Sequence, residues 1–301
     1  MILRTLLVLF LWLSSLVNVL ANEQIIIVSA GKSTPYLKTI QAYQEIMIKN
    51  HPDIIFDVHY LSEQRDLFGI EKNYKVGLAL GKNSVDWFSQ YLPKLSVVAA
   101  LIKDKNLLQN YPNTTGVDLQ YEPEQQVRVF KKLLPEYHRY GLLYSPAREA
   151  EVTALKKLLD RYQLKLIAQR VDNPQGIIEG IKNLFANVDL IWGLPDPAIV
   201  VPQTAKALLL ASYKEKIPLI GPSVGWVKAG ALLGSDWSYS DIADQCVIFT
   251  EALLQGKKAT ELKPVSLKAY QFSVNSKTMR WLKLNELSQQ RLKKRALKIY
   301  E

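Results

Sequence analysis

Short apolar runs alternate with longer amphipathic stretches along most of the chain, and this alternation constrains the fold more than any other feature. Residues 24–29 read as a fully buried strand. Residues 34–50 read as a helix with Leu37, Ile40, Ala42, Tyr43, Ile46 and Met47 along one side, and 54–60 as a second strand. Strand 76–80, helix 84–91 and strand 97–102 continue the pattern until Asn113-Thr114-Thr115-Gly116 breaks it. A second block follows: helix 123–134, strand 140–144, helix 149–162, strand 165–171, helix 174–186, strand 189–193, helix 198–213, strand 218–221 and an extended segment 231–235. Strands that are apolar throughout suit parallel sheets covered on both faces, and right-handed crossovers make each block doubly wound. With 301 residues the chain exceeds a comfortable single core. The expectation is an α/β protein of two doubly wound parallel-sheet lobes, joined by close crossovers because no Pro/Gly/Ser-rich linker separates the blocks.

The first residues address compartment. Arg4 precedes an apolar run over 6–13, Ser14 and Ser15 loosen it, and Val19-Leu20-Ala21 places small residues before Asn22. This reads as a cleavable signal peptide over 1–21. The rival reading is a membrane anchor, but Ser14, Ser15 and Asn18 leave the run short of the ~20 apolar residues a span needs. A lipoprotein would carry a cysteine just after cleavage, where Asn22, Glu23 and Gln24 stand. A diffusible periplasmic protein is expected. Cys246 is the sole cysteine, so no internal disulfide can form, and its apolar neighbours mark it as a small buried hydrophobe. The formal charge is +10, with much of the excess at Arg291, Lys293, Lys294, Arg295 and Lys298. These alternate with Leu292, Ala296, Leu297 and Ile299 at helical spacing, which reads as a solvated helix face, and no nucleic-acid partner is expected.

Several chemistries lack their residues. Gly31-Lys32-Ser33 follows a strand, but Ile26 stands where a P-loop needs its first glycine, so the phosphate-cradling nest cannot form. His51, His59 and His138 are far apart without partners at metal-ligand spacing. No Gly-x-Ser-x-Gly elbow occurs, and Asp118, Glu122 and Glu124 sit where acids complement a helix start. No cofactor, no metal and no catalytic residue are expected.

A set of motifs in series carries a resemblance: 96–104, Asn113-Thr114-Thr115-Gly116-Val117, Pro123-Glu124-Gln125-Gln126, Leu133-Leu134-Pro135, 141–146, Ile217-Pro218, Val227-Lys228-Ala229-Gly230-Ala231 and 270–275. In this order, from about Val97 to Asn275, the chain resembles the ABC-transporter substrate-binding family that includes tryptophan- and tyrosine-binding components. The resemblance implies a type I periplasmic binding fold with three crossings between lobes and a ligand cleft between them. The first crossing is expected near Gly116 and the second near 234–237, giving lobe 1 as 22–115 plus 237–264 and lobe 2 as 116–236 plus 265–301. It further implies a small-molecule ligand, amino acid-like, and an inner-membrane ABC permease as partner to a monomer. A periplasmic sensor that presents its closed form to a membrane signalling protein is the alternative, and an enzyme comes third.

Ligands of open α/β sheets meet the loops after the carboxyl ends of strands, beside helix N-termini. In lobe 1 those loops offer Ser33, Thr34, Asn83 and Ser84 to a carboxylate, unless these residues merely cap helices. In lobe 2 they offer Ser145, Asp196 and Ser223. Asp196 matches the family's aspartate in the loop after its strand and could take a ligand ammonium, or could simply form a turn between Pro195 and Pro197. Of the aromatic candidates Tyr36, Trp87, Trp192 and Trp226, Tyr36 and Trp226 are the favoured walls.

Overall fold

The structure is a computed structural model, and it describes residues 23–63, 73–173 and 176–301. The signal peptide expected over 1–21, with the cleavage site before Asn22, and the first residues of the helix expected over 174–186 lie outside the described residues. The chain divides into two units: one comprises the chain as far as Asp118 together with Ala243–Val265, the other Leu119–Ile242 and Ser266–Glu301.

In unit 1, strands β1 (Gln24–Ser29), β2 (Ile55–Tyr60), β3 (Val76–Leu80), β4 (Val97–Ile102), β5 (Thr114–Asp118) and β11 (Val265–Ser266) form one sheet in the order β11-β5-β4-β3-β1-β2. The pairs from β2 through β1, β3 and β4 to β5 are all parallel. Ile25, Ile26, Ile27 and Val28 are fully buried, which is why β1 shows no polar alternation. Helices α1 (Thr34–Asn50) and α2 (Lys82–Tyr91) cross between strands, and Phe88 of α2 joins Ile26, Ala79, Val97 and Ala99 in the core. At about 1.5–3 kcal/mol for each large apolar side chain buried, this cluster supplies the main driving force for the sheet. Strand β5 occupies the stretch that reads as a break in the sequence. Its polar Thr114-Thr115-Gly116 hides a close approach: a Cβ on Gly116 would lie 2.1 Å from the Ala99 carbonyl oxygen, so only glycine lets the strands pair there.

In unit 2, β6 (Arg139–Tyr144), β7 (Lys165–Arg170), β8 (Leu190–Trp192), β9 (Leu219–Gly221), β10 (Leu233–Ser235), β12 (Phe272–Asn275) and β13 (Ile299–Tyr300) are ordered β13-β12-β10-β9-β8-β6-β7. The sheet is parallel from β7 to β10, as expected of a parallel-sheet lobe, and β12 is added antiparallel to β10. Helices α3 (Pro123–Leu133), α4 (Glu149–Arg161), α5 (Ile177–Phe185), α6 (Pro202–Glu215) and α7 (Val224–Lys228) connect the strands. Helix α6 starts at Pro202 rather than at Ala198 because residues 196–201 are held in successive turns, with the amides of Ile199 and Val200 both donating to the Asp196 carbonyl. Helix α8 (Tyr239–Leu254) begins in unit 2 and ends in unit 1. Its Cys246 is buried, and burial pushes the thiol up to about 12, as befits a packed hydrophobe.

Helices α9 (Ser276–Trp281) and α10 (Glu286–Arg295) close the chain. The basic helix is shorter than its spacing suggests: Leu292 is fully buried, but the helix stops at Ala296 and Ile299 pairs with Val274 as part of β13.

Within unit 2 the stubs of all three passages between the units are tied together. The Tyr121 hydroxyl donates to the Asp236 carbonyl at 2.7 Å, the Trp237 indole donates to the Leu119 carbonyl at 2.9 Å, and the Ser238 amide donates to the Gln271 side chain at 2.7 Å. Asp236 also accepts from the Trp237 amide and from the Ser273 hydroxyl.

Candidate ligand-binding site

Each sheet reverses its strand order once among the parallel strands. In unit 1 the chain moves from β1 outward to β2 and then returns to β3 on the other side; in unit 2 it goes from β6 to β7 and returns to β8. The carboxyl ends of β1 and β3, and of β6 and β8, are therefore the two switch points, where loops diverge and leave a crevice.

At the unit 1 switch point, Ser33 precedes α1 with an extended backbone and makes no side-chain cap, and Pro35 occupies the first turn. Helix α2 starts after Gly81, whose φ of +89° is open to glycine and which has no side chain to cap with. The Ser33 hydroxyl therefore does not cap α1. Ser33, Thr34 and Asn83 are exposed. Ser84 is fully buried and its hydroxyl donates to the Leu80 carbonyl at 3.0 Å, which commits it to the backbone. Half-buried Tyr36 spans the two loops: its hydroxyl lies 3.0 Å from where a Cβ would stand on Gly81. Two helices thus begin beside the same crevice with no side-chain cap on their first amides, an arrangement that favours an anion.

The unit 2 switch point is built differently. Asp196 is 2% exposed, and its carboxylate accepts from the Ser145 amide at 2.8 Å and from the Ala198 amide at 3.0 Å. It staples the loop after β8 to the loop after β6. Next to it, the short turn Pro146–Arg148 points the Arg148 guanidinium at Glu151 in the first turn of α4, with Nε at 2.6 Å from one carboxylate oxygen and Nη2 at 3.0 Å from the other. The Glu151 side chain is 34% exposed. Burial raises its carboxyl above the ordinary range, Arg148 opposes this, and the charge of Asp196 adds to it. Arg148 thus pairs with Glu151, while the Asp196 carboxylate is held by backbone amides alone. Arg148 and Glu151 were missed from sequence; an Arg and a Glu three residues apart just after a strand end is the signal that could have found them.

Ser223 lies at the end of β9, half-buried, ahead of the five-residue α7 and without a side-chain cap. Trp226 is a core residue: it is 9% exposed, packs with Leu208 and Ala231, and its Cβ lies 2.3 Å from where a Cβ would stand on Gly221. Trp87 and Trp192 are buried as well, the latter donating to Gln126 at 3.3 Å. A concavity of about 430 Å³ exists elsewhere in unit 2, between α5 and α6, away from the strand ends. Among the described residues no cluster of metal-ligating side chains occurs, and no helix is long and apolar enough to cross a membrane.

Residues 95–299 match the protein family described as ABC transporter substrate binding protein. No curated protein sequence matches the chain. Among solved structures, the chain is similar to an ABC domain in complex with L-Trp from Streptococcus pneumonia, at 18% identity and TM-score 0.59 over 93% of this chain and 100% of that one. It is similar to a ligand-free, open substrate-binding protein with adhesive properties from Clostridium difficile, at 15% identity and TM-score 0.72 over 92% and 99%. It also resembles an arabinose-binding protein from Geobacillus stearothermophilus, at 10% identity and TM-score 0.56 over 86% and 99%. At these identities the likeness establishes the fold, that of type I periplasmic binding proteins.

Proposed function

The chain belongs to the ABC transporter substrate-binding protein family, and from that premise we propose that it captures an amino acid or a similar amino-bearing solute for a membrane ABC permease. A small-molecule ligand and a permease partner come with the family. The amino-acid class is supported by the contrast between the switch points: uncapped helix starts at Ser33-Thr34 and Gly81-Lys82 suit a carboxylate, and the carboxylate-rich crevice at Glu151 and Asp196 suits an ammonium. In this reading Ser33, Thr34 and Asn83 assist the first group and Tyr36 walls the side chain. Glu151 meets the second group beside Ser145 and Ser223, while Asp196 holds the loops in place. The two units serve as the lobes, and the mature protein is an exported monomer cleaved after residue 21.

The test is a thermal-shift screen of the full mature chain against amino acids, their desamino analogues, sugars, nucleosides and amines. Amino acids are expected to raise the melting temperature and desamino analogues to leave it unchanged. Shifts by sugars alone would replace the amino-acid class with a sugar, and no shift by any solute would remove solute binding itself.

A further inference from the structure

One surface of unit 2, away from the switch point, carries aromatic rings and cations together. Tyr213 of α6 and Trp281 of α9 stack with ring centroids 4.2 Å apart and planes 4° from parallel. Both are solvent-exposed, at 55% and 42%, and Leu210, one turn earlier on the Tyr213 side of α6, is 60% exposed. Single exposed apolar side chains need no explanation, but adjoining ones mark an interaction surface. The Trp281 indole N–H already donates to the Tyr213 carbonyl at 3.1 Å, so this ring can leave water without stranding its donor.

Cations surround the rings. The Lys216 ammonium lies 5.7 Å from the Trp281 ring centroid. Lys277 lies one turn before Trp281 on the same side of α9, Arg280 adjoins Trp281 in sequence, and Lys283 follows two residues on; all three are exposed. Across 210–216 and 277–283 the sole acid is Glu215, which faces Lys214 at 4.0 Å.

We propose that this surface docks on an anionic phospholipid bilayer, with Tyr213 and Trp281 at headgroup level and Lys216, Lys277, Arg280 and Lys283 among the phosphates. Indole and phenol rings favour the boundary between headgroups and acyl chains, and each basic residue near an anionic leaflet strengthens binding about fivefold. An acidic protein surface would match the cations but not a flat ring pair whose indole donor is already bonded. The position is compatible with ligand capture. Helix α9 follows the end of β12, which runs antiparallel to β10, so the rings lie at the edge of the sheet opposite Ser145 and Asp196.

The experiment is co-sedimentation of the full mature chain with vesicles of phosphatidylcholine alone, or with about one-third phosphatidylglycerol. Binding is expected only to the anionic vesicles, weakening as salt shortens the Debye length. The double variant Lys216→Glu/Lys283→Glu should reduce it more than twentyfold with an unchanged melting temperature. A blue shift of tryptophan emission on binding should be smaller in Trp281→Phe. Failure to bind anionic vesicles would overturn the proposal. So would binding that survives the double variant but is lost on Arg291→Glu/Lys294→Glu in α10. Retention on immobilised polyglutamate without vesicle binding would replace the bilayer with an acidic protein.

Discussion

At the switch point of unit 1 two helices begin with no side chain across their first amides, whereas at that of unit 2 a buried carboxylate closes the backbone onto itself. Both crevices arise from the same strand reversal, so the fold alone cannot account for the difference. Unit 1 leaves backbone donors free and shapes the loop with Gly81 and Tyr36. Unit 2 commits the Ser145 and Ala198 amides to Asp196 and places a second carboxylate, Glu151, paired with Arg148, at the crevice. One topology thus yields an anion-receptive end and a cation-receptive end, and the distinction rests on a few side chains in the loops.

The sharpest way to break this contrast is to remove the staple. Asp196→Ala leaves the buried Ser145 amide without an acceptor and removes the bond to the amide of exposed Ala198. At about 1–3 kcal/mol for the buried unsatisfied group, the unliganded protein should melt roughly 3–10 °C lower. Thermal unfolding followed by circular dichroism would show it. An unchanged melt combined with lost amino-acid binding would mean that Asp196 touches the ligand directly and that the two ends are more alike than the hydrogen bonds indicate.

A smaller but more selective effect is expected at Glu151. Replacing Glu151 with Gln keeps the shape and removes the charge that an ammonium would meet, so the affinity for amino acids should fall about 10–100-fold while that for any neutral solute holds. Since folding raises this carboxyl, its ionisation in the folded protein detracts from stability at neutral pH, and that penalty disappears as pH falls below the ordinary carboxylate range. The variant should accordingly melt at the same temperature or slightly higher at pH 7, the effect being small for a group exposed by a third. In the native protein, amino-acid affinity should decline as pH falls through the raised Glu151 titration, with Arg148 and Asp196 the charged groups that set it; in the variant this step should be missing. Calorimetric titrations across acidic pH test both points, and an identical pH profile in the two proteins would return the cation-receptive role to another group.

Much of the layer order is legible in the sequence because parallel strands such as β1 are apolar at every position and amphipathic helices separate them. Strand β5 is not, since its pairing depends on how close Gly116 comes to Ala99 rather than on its own apolar content. Ile299 keeps helical spacing with Leu292, yet the helix stops at Ala296 because the residues beyond it pair with β12. At the site, loop positions follow from strand ends, so Ser33, Thr34, Asn83, Ser145, Asp196 and Ser223 could be named. What each side chain does there could not. Asp196 is defined by an amide 51 residues away, and Trp226 by the bare face of Gly221. The knot of Tyr121, Asp236 and Gln271 likewise unites segments far apart in the chain.

The smallest expected effect tests the anion-receptive end. A serine that caps a helix loses about 1 kcal/mol on replacement by alanine. Ser33 precedes α1 but makes no such bond, so Ser33→Ala should leave the melting temperature of the unliganded protein unchanged. If its hydroxyl assists the α1 amides in holding a carboxylate, amino-acid affinity should nevertheless fall by roughly two- to tenfold, in keeping with one net hydrogen bond. Amines that lack a carboxylate should bind both proteins equally. A lowered melting temperature with unaltered affinity would make Ser33 a cap after all, and would leave the backbone amides of α1 and α2 as the whole of the unit 1 anion site.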